Sequence, residues 1–246
     1  MTRFRSILFF AYFIAVSVVM FIGALPTLIL PRMAIVRTSQ AWSRAMFWGL
    51  KVFAGCGYEV RGPIPKGAVL VAAKHMSMWD TMALYMLLDD VCIVVKRELL
   101  SIPFYGWYIK KAGIISIDRS GGAAALRRMT AESKPVIAAG RPIAIFPEGH
   151  RMKPGEAPDY KPGVAGLYSL FDLPCVPVAL NSGLFWGRNA FLRKSGVIVI
   201  EFLPPLPADL DRKAFMEALV ERIETATRAL EAEARTRYPG LAASVA

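Results

Sequence analysis

From Ile7 to Leu30 the chain reads ILFFAYFIAVSVVMFIGALPTLIL, without one charged side chain. As a helix rising about 1.5 Å per residue, this run covers roughly 36 Å, against about 30 Å for the hydrocarbon core of a bilayer. The segment belongs in a bilayer. Arg3 and Arg5 resemble the basic flank of a secretory signal, but the apolar run is too long for one and ends in Leu25-Pro26 without a small-x-small cleavage site. A retained membrane segment is therefore expected. Hydrophobic residues make up 55% of the 246 and charged residues only 20%, which excludes a disordered chain and is unlike an ordinary water-soluble domain. The length suits one catalytic-sized domain with a short appendage.

Pro26 and Pro31 bend or end a helix near its exit, and a second apolar stretch, Ala41 to Gly57, follows at once. It carries Arg44 and Lys51 among Trp42, Met46, Phe47, Trp48 and Phe53, the pattern of a helix lying at a membrane interface. Arg32, Arg37, Arg44 and Lys51 outnumber Arg3 and Arg5, so the carboxyl-terminal side is expected in the cytoplasm, on the inner membrane. A two-helix dip with both ends cytoplasmic fits equally well. Thirty Lys and Arg against nineteen Asp and Glu give a formal charge of +11, which favours phosphates, acidic lipids or nucleic acid as partners. Cys56, Cys92 and Cys175 are widely spaced in apolar surroundings. No disulfide framework or zinc spacing can be drawn from them, and they read as buried residues of a reducing compartment.

Past Gly57 short β-branched runs alternate with helical ones. The strand candidates are Val69 to Val71, Val91 to Val95, Ile114 to Ile117, Ile143 to Phe146, Cys175 to Leu180 and Val197 to Phe202. Helical patterns cover Trp79 to Leu88, Gly122 to Ala139 (interrupted by Pro135) and Val164 to Phe171, and a last helix opens near Asp209. This alternation argues an α/β fold with a largely parallel or mixed sheet flanked by helices. The organisation expected is membrane-anchoring helices over residues 1–57 and an α/β domain over 58–246. The aromatic run Phe104-Tyr105-Gly106-Trp107-Tyr108 reads as interfacial anchor or core, with a slight lean to the interface.

Only two histidines are available, His75 and His150. Lys74-His75-Met76-Ser77-Met78-Trp79-Asp80 follows directly on an apolar strand, a common place for site residues in α/β folds. Five residues apart on one continuous helix would set the His75 and Asp80 side chains about 140° apart. They meet only if His75 lies in the loop and Asp80 in the first helical turn. A carboxylate on an imidazole fixes its tautomer and supports it as a general base. Taken alone, a capping Asp and an incidental loop His would explain this pair more simply. However, Phe146-Pro147-Glu148-Gly149-His150-Arg151 ends another strand, and Gly113 to Arg119 closes a third with an Asp-Arg pair. Three strand exits thus supply a base, two arginines and a glutamate, a set that suits a phosphorylated ligand.

Together these blocks resemble the glycerolipid acyltransferases, specifically the 1-acylglycerol-3-phosphate acyltransferase family, over about residues 58–205. The family's Asn-His-x-Ser-x-x-Asp block stands as Lys74 to Asp80, its second as Gly113 to Arg119, its Phe-Pro-Glu-Gly-Thr/Ser-Arg block as Phe146 to Arg151, and its fourth as Val176 to Leu180. Lys74 replaces the usual Asn and adds a cation beside the base, opposing its protonation. His150 replaces the usual Thr or Ser and bears on headgroup recognition. The resemblance implies acyl transfer from coenzyme A or acyl carrier protein to the sn-2 hydroxyl of a lysophospholipid, giving phosphatidic acid. It implies His75 as base and Asp80 as its orienting acid, with Arg119, Glu148, Gly149 and Arg151 on the glycerol phosphate. It implies that the fourth block shapes the acyl or acceptor site, and that no cofactor or metal is needed beyond the thioester co-substrate. The expected partners are lysophospholipid, thioester and membrane lipid, possible acyl carrier protein included, and not nucleic acid.

Three other readings compete. A serine hydrolase lacks a Gly-x-Ser-x-Gly elbow. A metal-dependent phosphohydrolase would recruit His75, Asp80, Glu148 and His150 without a specifying spacing. A non-enzymatic module would bind acidic lipid or nucleic acid through its basic surface. Within the acyltransferase reading, other lysolipids such as lyso-ornithine lipid are alternative acceptors.

Overall fold

The computed structural model describes residues 1–118, 121–171, 173–207 and 209–244. The apolar amino terminus forms α1, Thr2–Gly23, long enough at about 33 Å to cross a bilayer. A short 3-10 turn at Leu25–Leu28, with Pro26 at its start, reverses the chain into α2, Arg32–Gly49. Arg32 closes this corner by donating from both guanidinium nitrogens to Asp90, at 2.6 and 2.5 Å. Of α1, only Ser6 and Phe9 are fully buried, while Phe10, Ile14, Val18 and Ile22 stand out on the other side.

The stretch from Ala41 to Gly57 departs from a helix lying freely at an interface. It is the second half of α2 with a π turn, Leu50–Ala54, closed by left-handed Gly55. Its inner side, Met46, Phe47 and Leu50, joins the main core, with the Phe47 ring stacked on Trp79 at 5.0 Å. Only Trp48 and Val52 keep the outward apolar exposure that such a location calls for.

A six-stranded sheet follows. Its strands are β1 (Cys56–Arg61), β2 (Leu70–Ala73), β3 (Cys92–Ile93), β6 (Ile143–Ile145), β7 (Cys175–Leu180) and β8 (Gly196–Phe202), in the order β1-β8-β7-β2-β6-β3. Every neighbour is parallel except β7 with β8. A separate parallel pair joins β4 (Val95–Lys96) to β5 (Ser116–Ile117). The single strand expected over Val91 to Val95 is therefore two. The chain leaves β6 after the Val94 amide reaches the Ala144 carbonyl, and the Val95 amide turns to Ile115. Strand β1 lies outside the sequence expectation because its polar Glu59 and Arg61 hide its apolar alternation.

Helix α3 (Met78–Leu87) packs with α1 and α2 on one face of the sheet. Helices α5 (Gly122–Ala138), α6 (Gly163–Phe171) and α7 (Arg212–Arg237) cover the other. Strand β2 shows why both faces close. Val71 and Ala73 join the first core cluster and Leu70 and Ala72 the second, so all four residues are buried, as expected of a central parallel strand. Pro135 does not break α5. It stands in the last turn and forgoes one bond, while the Ala139 amide still bonds to the Pro135 carbonyl. Helix α7 opens at Arg212, where Asp211 accepts from the Lys213 and Ala214 amides. The run around Phe104 includes α4, Tyr105–Ala112, whose sides divide the two readings. Phe104 and Trp107 are about half exposed, whereas Tyr108 is buried and donates its hydroxyl to the Phe21 carbonyl at 2.7 Å, tying α4 to α1.

Candidate active site

Strand β2 ends at Ala73, and four residues later Ser77 caps α3, its hydroxyl accepting from the Trp79 amide at 3.1 Å. His75 therefore sits in the loop and Asp80 in the first helical turn. This is the one arrangement in which the two can meet. The His75 Nδ1 lies 3.0 Å from Asp80 Oδ2. The same oxygen accepts from the Met76 and Ser77 amides, both at 2.7 Å, and Oδ1 accepts from the Ser182 hydroxyl at 2.5 Å. Asp80 is wholly buried and its oxygens are saturated with donors, which fixes the carboxylate in place. The imidazole lies over the Phe146 ring at 3.9 Å, nearly parallel, which fixes its tilt as well. With Nδ1 donating to Asp80, Nε2 is left as an acceptor, and the side chain keeps 13% of its surface exposed.

Beneath the loop, Lys74 is 3% exposed and does not stand free beside the base. Its ammonium donates to Glu148 Oε1 at 2.5 Å and to Glu224 Oε1 at 2.7 Å, and Tyr160 donates its hydroxyl to Glu224 at 3.0 Å. Burial alone would lower the Lys74 ammonium, but Glu148 and Glu224 outweigh it and hold it above its ordinary value. Burial pushes the Glu148 carboxyl up to about 7, against the pull of Lys74. Both shifts follow from two carboxylates sharing one cation out of water.

This geometry corrects three expectations. Glu148 is fully buried and its second oxygen accepts the His75 backbone amide at 3.0 Å, so it braces the catalytic loop from below and presents no oxygen to a headgroup. The charge of Lys74 is spent on two carboxylates, so it is not the free cation beside the base that the sequence suggested. The fourth block is β7, a central strand buried along its length, and none of it lines the cavity next to His75. Gly149 and Arg151 do line that cavity, Gly149 in the left-handed conformation at φ 71°. His150 lines it too while its Nδ1 keeps 2.9 Å from its own loop's Glu148 carbonyl. Arg119 lies outside the described residues.

The cavity has a volume of about 720 Å³, the size of a site for a drug-sized or larger ligand. Lys96, His150, Arg151 and Arg188 give it cationic and hydrogen-bonding character beside His75, and Lys96 is paired with Glu98. Among the described residues, neither Arg151 nor Arg188 meets a carboxylate. Much of the remaining lining is apolar, with Phe21 of α1, Trp42 of α2, Met82 of α3 and Ile109 of α4 among it. Such a site can take a proton at Nε2 next to an anion-binding wall and a long apolar bed. Among the described residues no group of three or more His, Cys, Asp or Glu converges as metal ligands would. Of the four residues a phosphohydrolase would recruit, His75 and Asp80 form the imidazole pair, Glu148 belongs to the lysine cluster, and His150 stands apart with its Nδ1 at a backbone carbonyl.

A family model described as acyltransferase matches residues 57–181. The chain is 33% identical over 187 residues to the 1-acyl-sn-glycerol-3-phosphate acyltransferase of Pseudomonas aeruginosa, covering 75% of this chain and 73% of that one. The chain belongs to the acyltransferase family. It is also 30% identical over 176 residues to the Helicobacter pylori protein of the same name, covering 69% of this chain and 73% of that one. The fold is that of the 1-acyl-sn-glycerophosphate acyltransferase PlsC of Thermotoga maritima, with a TM-score of 0.77 at 20% identity, covering 94% of this chain and 98% of that one. The protein is thus an acyltransferase enzyme, and its exposed apolar α1, with relatives in bacteria, supports membrane association.

Sequence reasoning missed Ser182, Glu224 and the ring of Phe146. Ser182 stands two residues beyond β7 and Glu224 on α7, so both reach the site only through folding. Ser182→Ala is expected to leave one Asp80 oxygen without its donor, at about 1–3 kcal/mol of stability, with a lower kcat and little change in KM. Denaturant melts and steady-state kinetics on the variant check this.

Proposed function

We propose that this acyltransferase moves a fatty acyl group from an acyl thioester to the sn-2 hydroxyl of 1-acylglycerol 3-phosphate, giving phosphatidic acid. The observation that carries the reading is an imidazole fixed by a buried carboxylate at the mouth of a largely apolar cavity, lined also by Arg151, which meets no carboxylate among the described residues. His75 Nε2 takes the hydroxyl proton as the oxygen attacks the thioester carbonyl. Asp80 holds the ring and stabilises its cation. When the tetrahedral intermediate collapses, the C–S bond breaks and the thiolate leaves with the proton from the imidazolium. No acyl-enzyme is required, because a thiolate is already a good leaving group. Arg151, with Arg119, holds the phosphate. Both acyl chains are apolar enough to use the bed between the amino-terminal helices and α4. The donor is coenzyme A or acyl carrier protein, and no further cofactor takes part. The enzyme works at the inner membrane, with its α/β domain on the cytoplasmic side, where an anionic surface and a net charge of +11 draw it to its substrate.

Purified protein given one labelled acyl thioester, first on coenzyme A and then on acyl carrier protein, is expected to label lysophosphatidate but not glycerol 3-phosphate. Arg151→Ala should raise KM for lysophosphatidate more than it lowers kcat. Labelling of lyso-ornithine lipid in preference would transfer the proposal to that acceptor, and labelling of none would reject it.

A further inference from the structure

The loop between β7 and β8, residues 181–195, begins at the site and ends at the surface of α1. Its first turn supplies Ser182 to Asp80, and its middle supplies Arg188 and Asn189 to the lining of the cavity. Its far part carries Phe191 and Leu192, 47% and 38% exposed. The Phe191 ring lies 5.8 Å from that of Phe10, which begins the outward row Phe10, Ile14, Val18 and Ile22 along α1. Spaced four apart, these residues form one stripe, and Phe191 extends it sideways.

The exposed part of the loop is held rigidly. The Arg193 amide donates to the Ser6 hydroxyl of α1 at 2.9 Å, and its guanidinium donates to the Ala190 and Phe191 carbonyls while lying 4.2 Å from the Trp186 ring. Arg193 is buried for this task, while the two large apolar side chains it steadies remain outside. A fold that fixes apolar groups outward, in continuity with an apolar helix, presents them to an apolar medium.

We propose that Phe191 and Leu192 insert into the lipid bilayer beside α1, making the β7–β8 loop a second membrane contact of the protein. The proposal rests on α1 itself being in the membrane. Insertion brings Arg188, exposed and next to the cavity, to the depth of lipid phosphates, where a guanidinium is best placed between an apolar interior and anionic headgroups. The mouth of the cavity then opens at the headgroup layer, and an amphiphilic acceptor enters without leaving the bilayer.

The test uses the full chain with single cysteines introduced at Leu192→Cys, Val19→Cys on the exposed side of α1, and Lys213→Cys on α7, which packs on the opposite face of the sheet. The native Cys56, Cys92 and Cys175 are buried, and burial pushes their thiols up to about 12, 11 and 12, so a thiol-reactive fluorophore goes to the introduced site. Each labelled protein is reconstituted in vesicles of phosphatidylglycerol and phosphatidylcholine containing a lipid with a shallow spin-label quencher. Quenching at positions 19 and 192, with none at 213, is the expected result, and Phe191→Cys should repeat the pattern of Leu192→Cys. Quenching at 19 alone overturns the loop contact and leaves α1 in the membrane. Quenching at neither overturns both, and quenching at all three overturns the loop contact as a specific one.

Discussion

Replacing His75 by alanine is expected to lower kcat by about 10² to 10⁴, the usual worth of a positioned general base, with the fold retained. The second half of that expectation comes from the accounting of Asp80. Without the imidazole its carboxylate still accepts from the Met76 and Ser77 amides and the Ser182 hydroxyl, so no buried oxygen is orphaned. The ring itself keeps some exposure and stacks on Phe146 at the mouth of the cavity rather than in the main core. Thermal melts of the variant should therefore lie close to the parent while labelled-acyl transfer is lost. Transfer at the parent rate would remove His75 from the chemistry, whereas a variant that unfolds would show that the residue is structural.

Lys74→Met is expected to do the reverse and act first on stability. It leaves Glu148 and Glu224 buried with no cation between them, and removing one partner of a buried ionic cluster typically costs about 3–5 kcal/mol. Adding Glu148→Gln and Glu224→Gln to the same variant should recover much of the loss, because the uncompensated charges go with the lysine. The pH dependence has a definite sign. The Glu148 carboxyl, pushed up to about 7 by burial, binds more protons in the folded chain than in the unfolded one between its ordinary value of 4.5 and about 7. Its contribution to stability is then greatest below 4.5 and falls as pH rises through that window. Lys74 works in the other range, since an ammonium raised on folding adds stability below its ordinary 10.5 and loses it only above. Lys74→Met should thus unfold more readily at pH 8 than at pH 5, relative to the parent, in denaturant melts. Equal destabilisation at both values would contradict the cluster as described.

The geometry of the imidazole pair was legible because it is local. A His-x4-Asp spacing after an apolar strand leaves few conformations, and Ser77-x-x-Asp80 is itself the signature of a helix start, which puts the acid where its oxygens face back over the loop. The alternation of strands and helices was legible for the same reason, since each element shows its own period. Glu148 was misread because a strand exit offers the cavity and the underside of the loop to successive residues, and sequence does not say which faces which. Its partner Lys74 lies 74 residues away, and Glu224, which shares that ammonium, lies 150 residues from Lys74, separations that no local pattern encodes. The same holds for Ser182 and Asp80, and for β1, whose partner β8 lies at the far end of the domain.

The matched region, residues 57–181, stops one residue short of the hydroxyl that steadies Asp80 and well before Glu224, one of the two carboxylates that answer Lys74. It also begins after α1 and α2, which supply part of the cavity wall. The smallest piece able to stand alone is therefore wider at both ends than the recognisable motif blocks. Grafting those blocks onto another scaffold, or trimming the chain to them, would carry over the reacting groups but neither their ballast nor their container.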